Sequence, residues 1–349
     1  MPDNTYRVAL VGTGGISRAH ATACSLTDRA DLVAVTDVSQ ESIDRFVKQF
    51  PVERMYLELD RMLANEQIDI AVICTWGVFH ADLGIQLVES GRVKAVLCEK
   101  PFTQNAPDAV RTVDAARKND ILIAEAFKFR HHPMHLKAKS LLEAGDIGQV
   151  MTVRSTFCTS SGAPVSDRKP ELNWRWNKEK GGGSIYDLAC YNIHHARWIF
   201  DADPIEVFAT QHPGIEVDDG ANIQFIFPNG GIAQITVGFD TYQSQEFEIL
   251  GTIGSLRTDR AWNNENRPVW LDRISKGLEE RHHFDPCHQY PTTTPECPSP
   301  PADEGRTKRG SGRKVRGLRG TFGIRWVKCR RAKSMDHPGP KPQPGSQPR

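Results

Sequence analysis

No two of the chain's eight cysteines are spaced for a metal or a dithiol. They are scattered at positions 24, 74, 98, 158, 190, 287, 297 and 329, with no Cys-x-x-Cys pair. Several fall inside apolar strand or helix patterns, which excludes a disulfide framework and points to reduced thiols. Long hydrophobic runs are also lacking: no window reaches the ~18 apolar residues that a membrane span needs. The opening residues, MPDNTYRVALVG, have no basic stretch leading into an uninterrupted apolar one, so no secretory signal is read and the cytoplasm is the expected address. With 39% hydrophobic and 25% charged residues, collagen, a membrane bundle and a wholly disordered chain are excluded.

The chain has 349 residues, which predicts two domains. Its near-neutral balance hides an asymmetry. Residues 291–349 hold 14 Lys and Arg against 4 Asp and Glu, together with 10 of the 22 prolines, whereas the first 290 residues hold 30 basic against 39 acidic. Such a segment has too little apolar surface to offset the entropy of ordering, and it reads as a disordered basic tail. Its charge would permit contact with nucleic acid or an acidic surface, but no folded nucleic-acid-binding motif supports that, and nucleic acid is not an expected partner.

From residue 6 to about 125, the apolar runs YRVALVG, DLVAVTD, IDIAVICT, KAVLCEK and DILIAEA alternate with segments of helical length. Runs without polar alternation fit strands buried on both faces, so a doubly wound parallel sheet is predicted over residues 5–130. After a helical stretch from Pro133 to Gly145, the segments VMTVRSTFC, IEVFAT, NIQFIF, GIAQITVGF and EFEILG alternate apolar and polar residues, as antiparallel strands do. GGGSIYDLACYNIHHARWIF, between the first two, reads as a glycine-rich approach and one strong helix. Residues 131–290 are therefore expected to form an α+β domain with a large, mostly antiparallel sheet.

In VALVGTGGIS, Gly12 and Gly14 follow the first strand and lead into a helix, with Gly15 and Ile16 at its start. Gly12 permits the tight turn, Gly14 lets backbone approach a pyrophosphate, and the helix N-terminus receives the charge. Ser17 stands where the third glycine of the pattern would be. Asp37 closes the second strand, where a carboxylate accepts from ribose hydroxyls and repels a 2′-phosphate, and no Arg follows in VSQ, so NAD is favoured over NADP. At the end of KAVLCEKPF, Pro101 forces Lys100 into an extended conformation and directs it to the carboxyl edge of the sheet, where such folds bind ligands. Asp187, Tyr191 and His194 or His195 fall at helical spacings of i, i+4 and i+7 or i+8.

These motifs, with Glu99-Lys100-Pro101, FRHHP at 129–133, LLEAGDIGQV at 141–150 and GGGSIYDLACY at 181–191, resemble the glucose–fructose oxidoreductase, inositol dehydrogenase and MocA superfamily from about residue 5 to 290. The resemblance implies hydride transfer between a nicotinamide and a carbinol carbon of a sugar, polyol or dihydrodiol-like substrate, and a homodimer or homotetramer built through the second sheet. It matches Lys100 to the family's catalytic lysine and Asp187 to its motif aspartate. Tyr191, where other members carry His, is similar to the branch with dihydrodiol and xylose dehydrogenases. Lys100 would stabilise a developing alkoxide, while Tyr191, its phenol pKa lowered by that ammonium, would act as general acid/base. Asp187 would hold the lysine or a substrate hydroxyl. The resemblance adds Thr75, His80 and Glu99 to the cofactor contacts, with Trp76 where a proline is usual. Arg130, Trp174, Arg175 and His195 are the candidate substrate contacts, and Asn173 lies on the same loop. His282, His283, Cys287 and His288 lack a second ligand set, so no metal is expected. Some relatives bind dinucleotide without turnover, an alternative that the retained Lys100, Asp187 and Tyr191 oppose. Composition and resemblance break together at Pro291, which predicts a frameshifted or mis-spliced C-terminus and a second domain left incomplete, with an inactive product as the further alternative.

Overall fold

A computed structural model describes residues 5–159, 168–265 and 267–289. The basic segment and its expected disorder lie outside them. The first half runs β1 (Tyr6–Val11), α1 (Ser17–Ser25), β2 (Ala30–Thr36), α2 (Gln40–Val47), β3 (Arg54–Tyr56), α3 (Leu59–Asn65), β4 (Ile70–Ile73), α4 (His80–Glu89), β5 (Ala95–Glu99), α5 (Ala106–Lys118) and β6 (Leu122–Ala126). All six strands are parallel, in the order β3-β2-β1-β4-β5-β6. The β1/β4 boundary is where the order reverses, so ligands belong at the carboxyl ends of these two strands. Every residue of β4 and β5 is buried, as the unbroken apolar runs required. β3 is an addition: three residues at the sheet's edge, none of them fully buried, too short and polar to show as an apolar run.

The second half adds α6 (Pro133–Glu143), β7 (Val150–Cys158), α7 (Cys190–Phe200), β8 (Glu206–Pro213), β9 (Asp218–Ile226), β10 (Ile232–Gly238), β11 (Phe247–Gly251), β12 (Gly254–Thr258), β13 (Val269–Ser275) and β14 (Leu278–Phe284). Its sheet has the order β14-β13-β12-β11-β7-β10-β9-β8, antiparallel except for the central β7–β10 pair. A core of Phe129, Phe157, Tyr191, Phe227, Phe247 and Trp262, with many smaller residues, lies between α6, α7 and one sheet face. The alternating pattern named five strands and stopped at EFEILG. β14 carries the charged run LEERHHF, which hides its strand character, and His282–Phe284 extend that strand instead of approaching a helix. Lys276 and Gly277 join β13 to β14 with φ of 51° and 80°, the two positive values of a type I′ hairpin.

Candidate active site

Lys100 leaves the carboxyl end of β5 and crosses to the segment before α7. Its Nζ donates to Asp187 Oδ1 at 2.7 Å and to the Asp187 carbonyl at 3.0 Å, and it stands 5.0 Å from the Tyr191 ring centroid. The sequence read one continuous α-helix here. Instead, Ile185–Ala189 form a π-helical turn ahead of α7. Such turns interrupt the regular i→i−4 ladder, and here the Asp187 carbonyl accepts from the lysine. The N-terminus of this turn is held by Asp218, whose Oδ2 accepts from Ser184 Oγ and the Ile185 N–H. Arg175 Nε donates to the other Asp187 oxygen at 2.7 Å, and its guanidinium lies over the Trp174 ring, 4.8 Å from the centroid. Asn173 caps this short turn by accepting from the Arg175 N–H.

The electrostatics follow from burial and pairing. Lys100 and Asp187 side chains are 15% and 4% exposed. Burial alone would lower the lysine's pKa, but Asp187, with Tyr191 and Cys190, outweighs it and holds Lys100 above its ordinary value as an ammonium. Burial would raise Asp187, yet Lys100 and Arg175 keep it below the usual carboxylate range. Tyr191 departs from the expectation: burial raises its phenol pKa, and the lowering by Lys100 does not overcome it. At neutral pH the phenol keeps its proton and is suited to donate it.

The glycine loop has the form a dinucleotide requires. Gly12 has φ of 98°, and a Cβ there would lie 3.0 Å from the Cys74 carbonyl and from Thr75 Cγ2, so only glycine lets β1's end pack on β4's. Gly14 and Gly15 face open space, and the N-cap of α1, Ile16, offers no side-chain cap, leaving the helix's N–H groups for an anion. Ser17 takes the third position without strain, donating its hydroxyl to the Gly14 carbonyl at 2.5 Å. Asp37 accepts from the Thr13 N–H at 2.8 Å and hydroxyl at 3.0 Å through one oxygen, and from the Ser39 N–H at 2.9 Å through the other. It braces the loop. These residues fit a nicotinamide dinucleotide.

Other predicted contacts sort differently. His80 is buried between two loops, with Nδ1 2.9 Å from the Pro101 carbonyl and Nε2 3.1 Å from that of Thr75. Glu99 meets His20 Nε2 at 2.8 Å and accepts from its neighbour's N–H, so both carboxylate oxygens face protein groups. His195 is a correction: it is fully buried, 4.8 Å from the Phe247 ring and 5.4 Å from that of Trp262, because this side of α7 faces the sheet. It is a core residue, whereas half-buried His194 stacks on Phe127 at 4.1 Å. Arg130 lies against His194 and the Trp198 ring, about two to three turns along from Asp187. Among the described residues, no group of three or more His, Cys, Asp or Glu side chains is placed to hold a metal, and no helix is long and apolar enough to cross a membrane.

The sequence reading missed two features. Trp76 and Phe79 stack at 6.3 Å on the loop after β4, 43% and 50% exposed, and Lys180 from the loop preceding Asp187 lies 4.7 Å from the Trp76 ring. Two aromatic residues beside polar loop positions were the available signal. The second is Glu125, on β6 behind Lys100; a carboxylate inside the apolar run DILIAEA marked it.

Residues 6–127 match the oxidoreductase family profile with an NAD-binding Rossmann fold, GFO/IDH/MocA, and residues 135–257 match the GFO/IDH/MocA C-terminal domain. The chain is 30% identical over 235 residues to dTDP-3,4-didehydro-2,6-dideoxy-alpha-D-glucose 3-reductase of Saccharopolyspora spinosa, spanning 66% of this chain and 68% of that protein. It is 26% identical over 286 residues to an NADP-dependent D-xylose 1-dehydrogenase of Haloferax volcanii, spanning 80% and 84%. Among solved structures, levoglucosan dehydrogenase in complex with NADH and levoglucosan matches with a TM-score of 0.73 at 21% identity, over 87% of this chain and 86% of that one. With both domain profiles matched and the glycine loop in place, the chain belongs to the GFO/IDH/MocA family of NAD-binding oxidoreductases.

Proposed function

We propose that this protein transfers hydride between a nicotinamide dinucleotide and the carbinol or carbonyl carbon of a sugar or polyol, with Lys100 and Tyr191 as the catalytic pair. The observation that carries this reading is the buried Lys100–Asp187–Arg175 array, with the phenol of Tyr191 under the same ammonium. The nicotinamide supplies or accepts the hydride when bound. In the reducing direction, the substrate oxygen gains negative charge as its carbon is reduced; Lys100 stabilises that charge and Tyr191 delivers the proton. Asp187 holds the ammonium in place, and Arg175 fixes Asp187. Trp174 and the exposed Trp76–Phe79 pair are the aromatic surfaces against which the sugar would lie.

NAD is the favoured cofactor, because Asp37 places a carboxylate where NADP would bring its 2′-phosphate. Two copies would associate through the open face of the second sheet, whose outward residues include Arg154, Gln224, Gln234, Thr236 and Glu248. A thermal-shift titration with NAD, NADH, NADP and NADPH, followed by turnover assays with levoglucosan, D-xylose and myo-inositol, tests the reading. Stabilisation by NAD(H) in preference to NADP(H), with turnover abolished in Lys100→Ala, is expected. Full turnover in that variant would refute the catalytic assignment.

A further inference from the structure

The Lys100–Pro101–Phe102 turn is held at three successive backbone groups. Glu99 accepts from the Lys100 N–H at 3.2 Å, His80 Nδ1 meets the Pro101 carbonyl at 2.9 Å, and Glu125 Oε1 accepts from the Phe102 N–H at 2.8 Å. Glu99 and His80 are tied elsewhere, to His20 and to the Thr75 carbonyl. Glu125 is different. It reaches the turn from β6, where it pairs with Cys98, and the hydrogen bond to Phe102 is the one its side chain makes among the described residues. The titratable and charged groups that face it are Cys98, Glu99 and Lys100 from β5, and Cys190 and Arg197 from α7.

We propose that Glu125 is a positioning residue for the reaction: its ionised carboxylate clamps the Phe102 N–H and so aims Lys100, and taking up a proton loosens that aim. A charge-assisted hydrogen bond is roughly twice as strong as a neutral one, so the clamp depends on the carboxylate's charge. Burial, reinforced by Glu99, pushes this carboxyl up to about 7, against the lowering by Phe102 N–H, Lys100 and Arg197. The clamp therefore changes strength across the neutral range. The inference rests on Lys100 being the catalytic ammonium.

Its test does not require turnover. The full-length protein is labelled with acetic anhydride at a series of pH values, and acetylation of Lys100 relative to exposed Lys48 is read by mass spectrometry. In the wild type, relative labelling of Lys100 should fall about fivefold as pH rises through the neutral range, the order expected when a neutral hydrogen bond becomes charge-assisted. Glu125→Gln keeps volume and an acceptor oxygen but cannot ionise, so its profile should be flat; Glu125→Asp should restore a step. A flat wild-type profile, or an equal step in Glu125→Gln, overturns the positioning role whatever the activity. Turnover that survives in Lys100→Ala overturns the functional reading instead and leaves the labelling result standing.

Discussion

Asp187→Asn removes one charge from the centre of the site and leaves its shape. The carboxylate accepts from Lys100 and Arg175 at 2.7 Å each, and it is 4% exposed. Breaking a buried ion pair by neutralising one partner costs about 3–5 kcal/mol. The amide keeps an acceptor for Lys100, and the lysine can shed its proton, so the low end, about 3 kcal/mol, applies. For a unit of this size that lowers Tm by about 6–12 °C. The pH dependence gives a sharper check. Lys100 is raised above its ordinary 10.5, so its contribution is present below that value and is lost as pH rises through its folded value. Asp187 is lowered, so its contribution is present above its ordinary 3.8 and disappears as pH falls through its folded value. The wild type should therefore be flat across neutral pH. In the variant the Asp187 charge, the largest influence raising Lys100, is gone, so burial weighs more heavily and its pKa falls; the penalty then shrinks as pH rises towards 10.5 and the unfolded lysine also loses its proton. Melting by calorimetry between pH 7 and 10 should show the two curves converging. A constant gap, or one within about 2 °C throughout, would mean that the Lys100–Asp187 pair does not carry the buried charge argued here.

Further outcomes follow from neighbouring residues. Asp37→Ala should weaken the NAD-induced thermal shift and narrow its lead over NADP, since the brace on Thr13 and the carboxylate proposed to meet the ribose are both lost; an unchanged preference would remove Asp37 from cofactor selection. His195→Phe should stabilise the fold by about 1 kcal/mol, raising Tm by about 2–4 °C, with kcat unchanged, because both ring nitrogens are buried without partners; a large loss of kcat would return His195 to the site. Trp76→Ala should raise KM for sugar substrates severalfold while kcat moves less, and equal losses in both would contradict a role as a substrate wall.

The parallel half of the fold was legible because its central strands are buried on both faces and so carry no polar alternation to confuse them. Lys100 was legible for a local reason, the proline that follows it, and the glycine loop for its spacing. What escaped was set by tertiary context. Tyr191 sits two residues past a π-helical turn, in a core that excludes water, and sequence spacing cannot report the desolvation that outweighs the ammonium beside it. His195 lies on the same apparent helical face as Tyr191, yet depth in the core separates a cleft residue from a packing one. β14 was hidden because it is an edge strand that meets its hairpin partner β13 through charges: Arg281 pairs with Asp272 across the strands, so polar residues do there what apolar ones do elsewhere.

The place of β7 in its sheet orders the assembly of the whole molecule. It is the first strand of its sheet to be synthesised yet lies at the centre, pairing Thr152 with Ile232 and Ser155 with Phe247. Contacts so distant along the chain form slowly, whereas the β-α-β units before it close locally. The nucleotide half can thus be complete while Asp187 is still waiting for its sheet, and during that interval Lys100 stands at an open edge as an ordinary amine. Its reactivity is a clock for the joining of the two halves: the moment this single lysine stops reacting is the moment the enzyme's two parts become one.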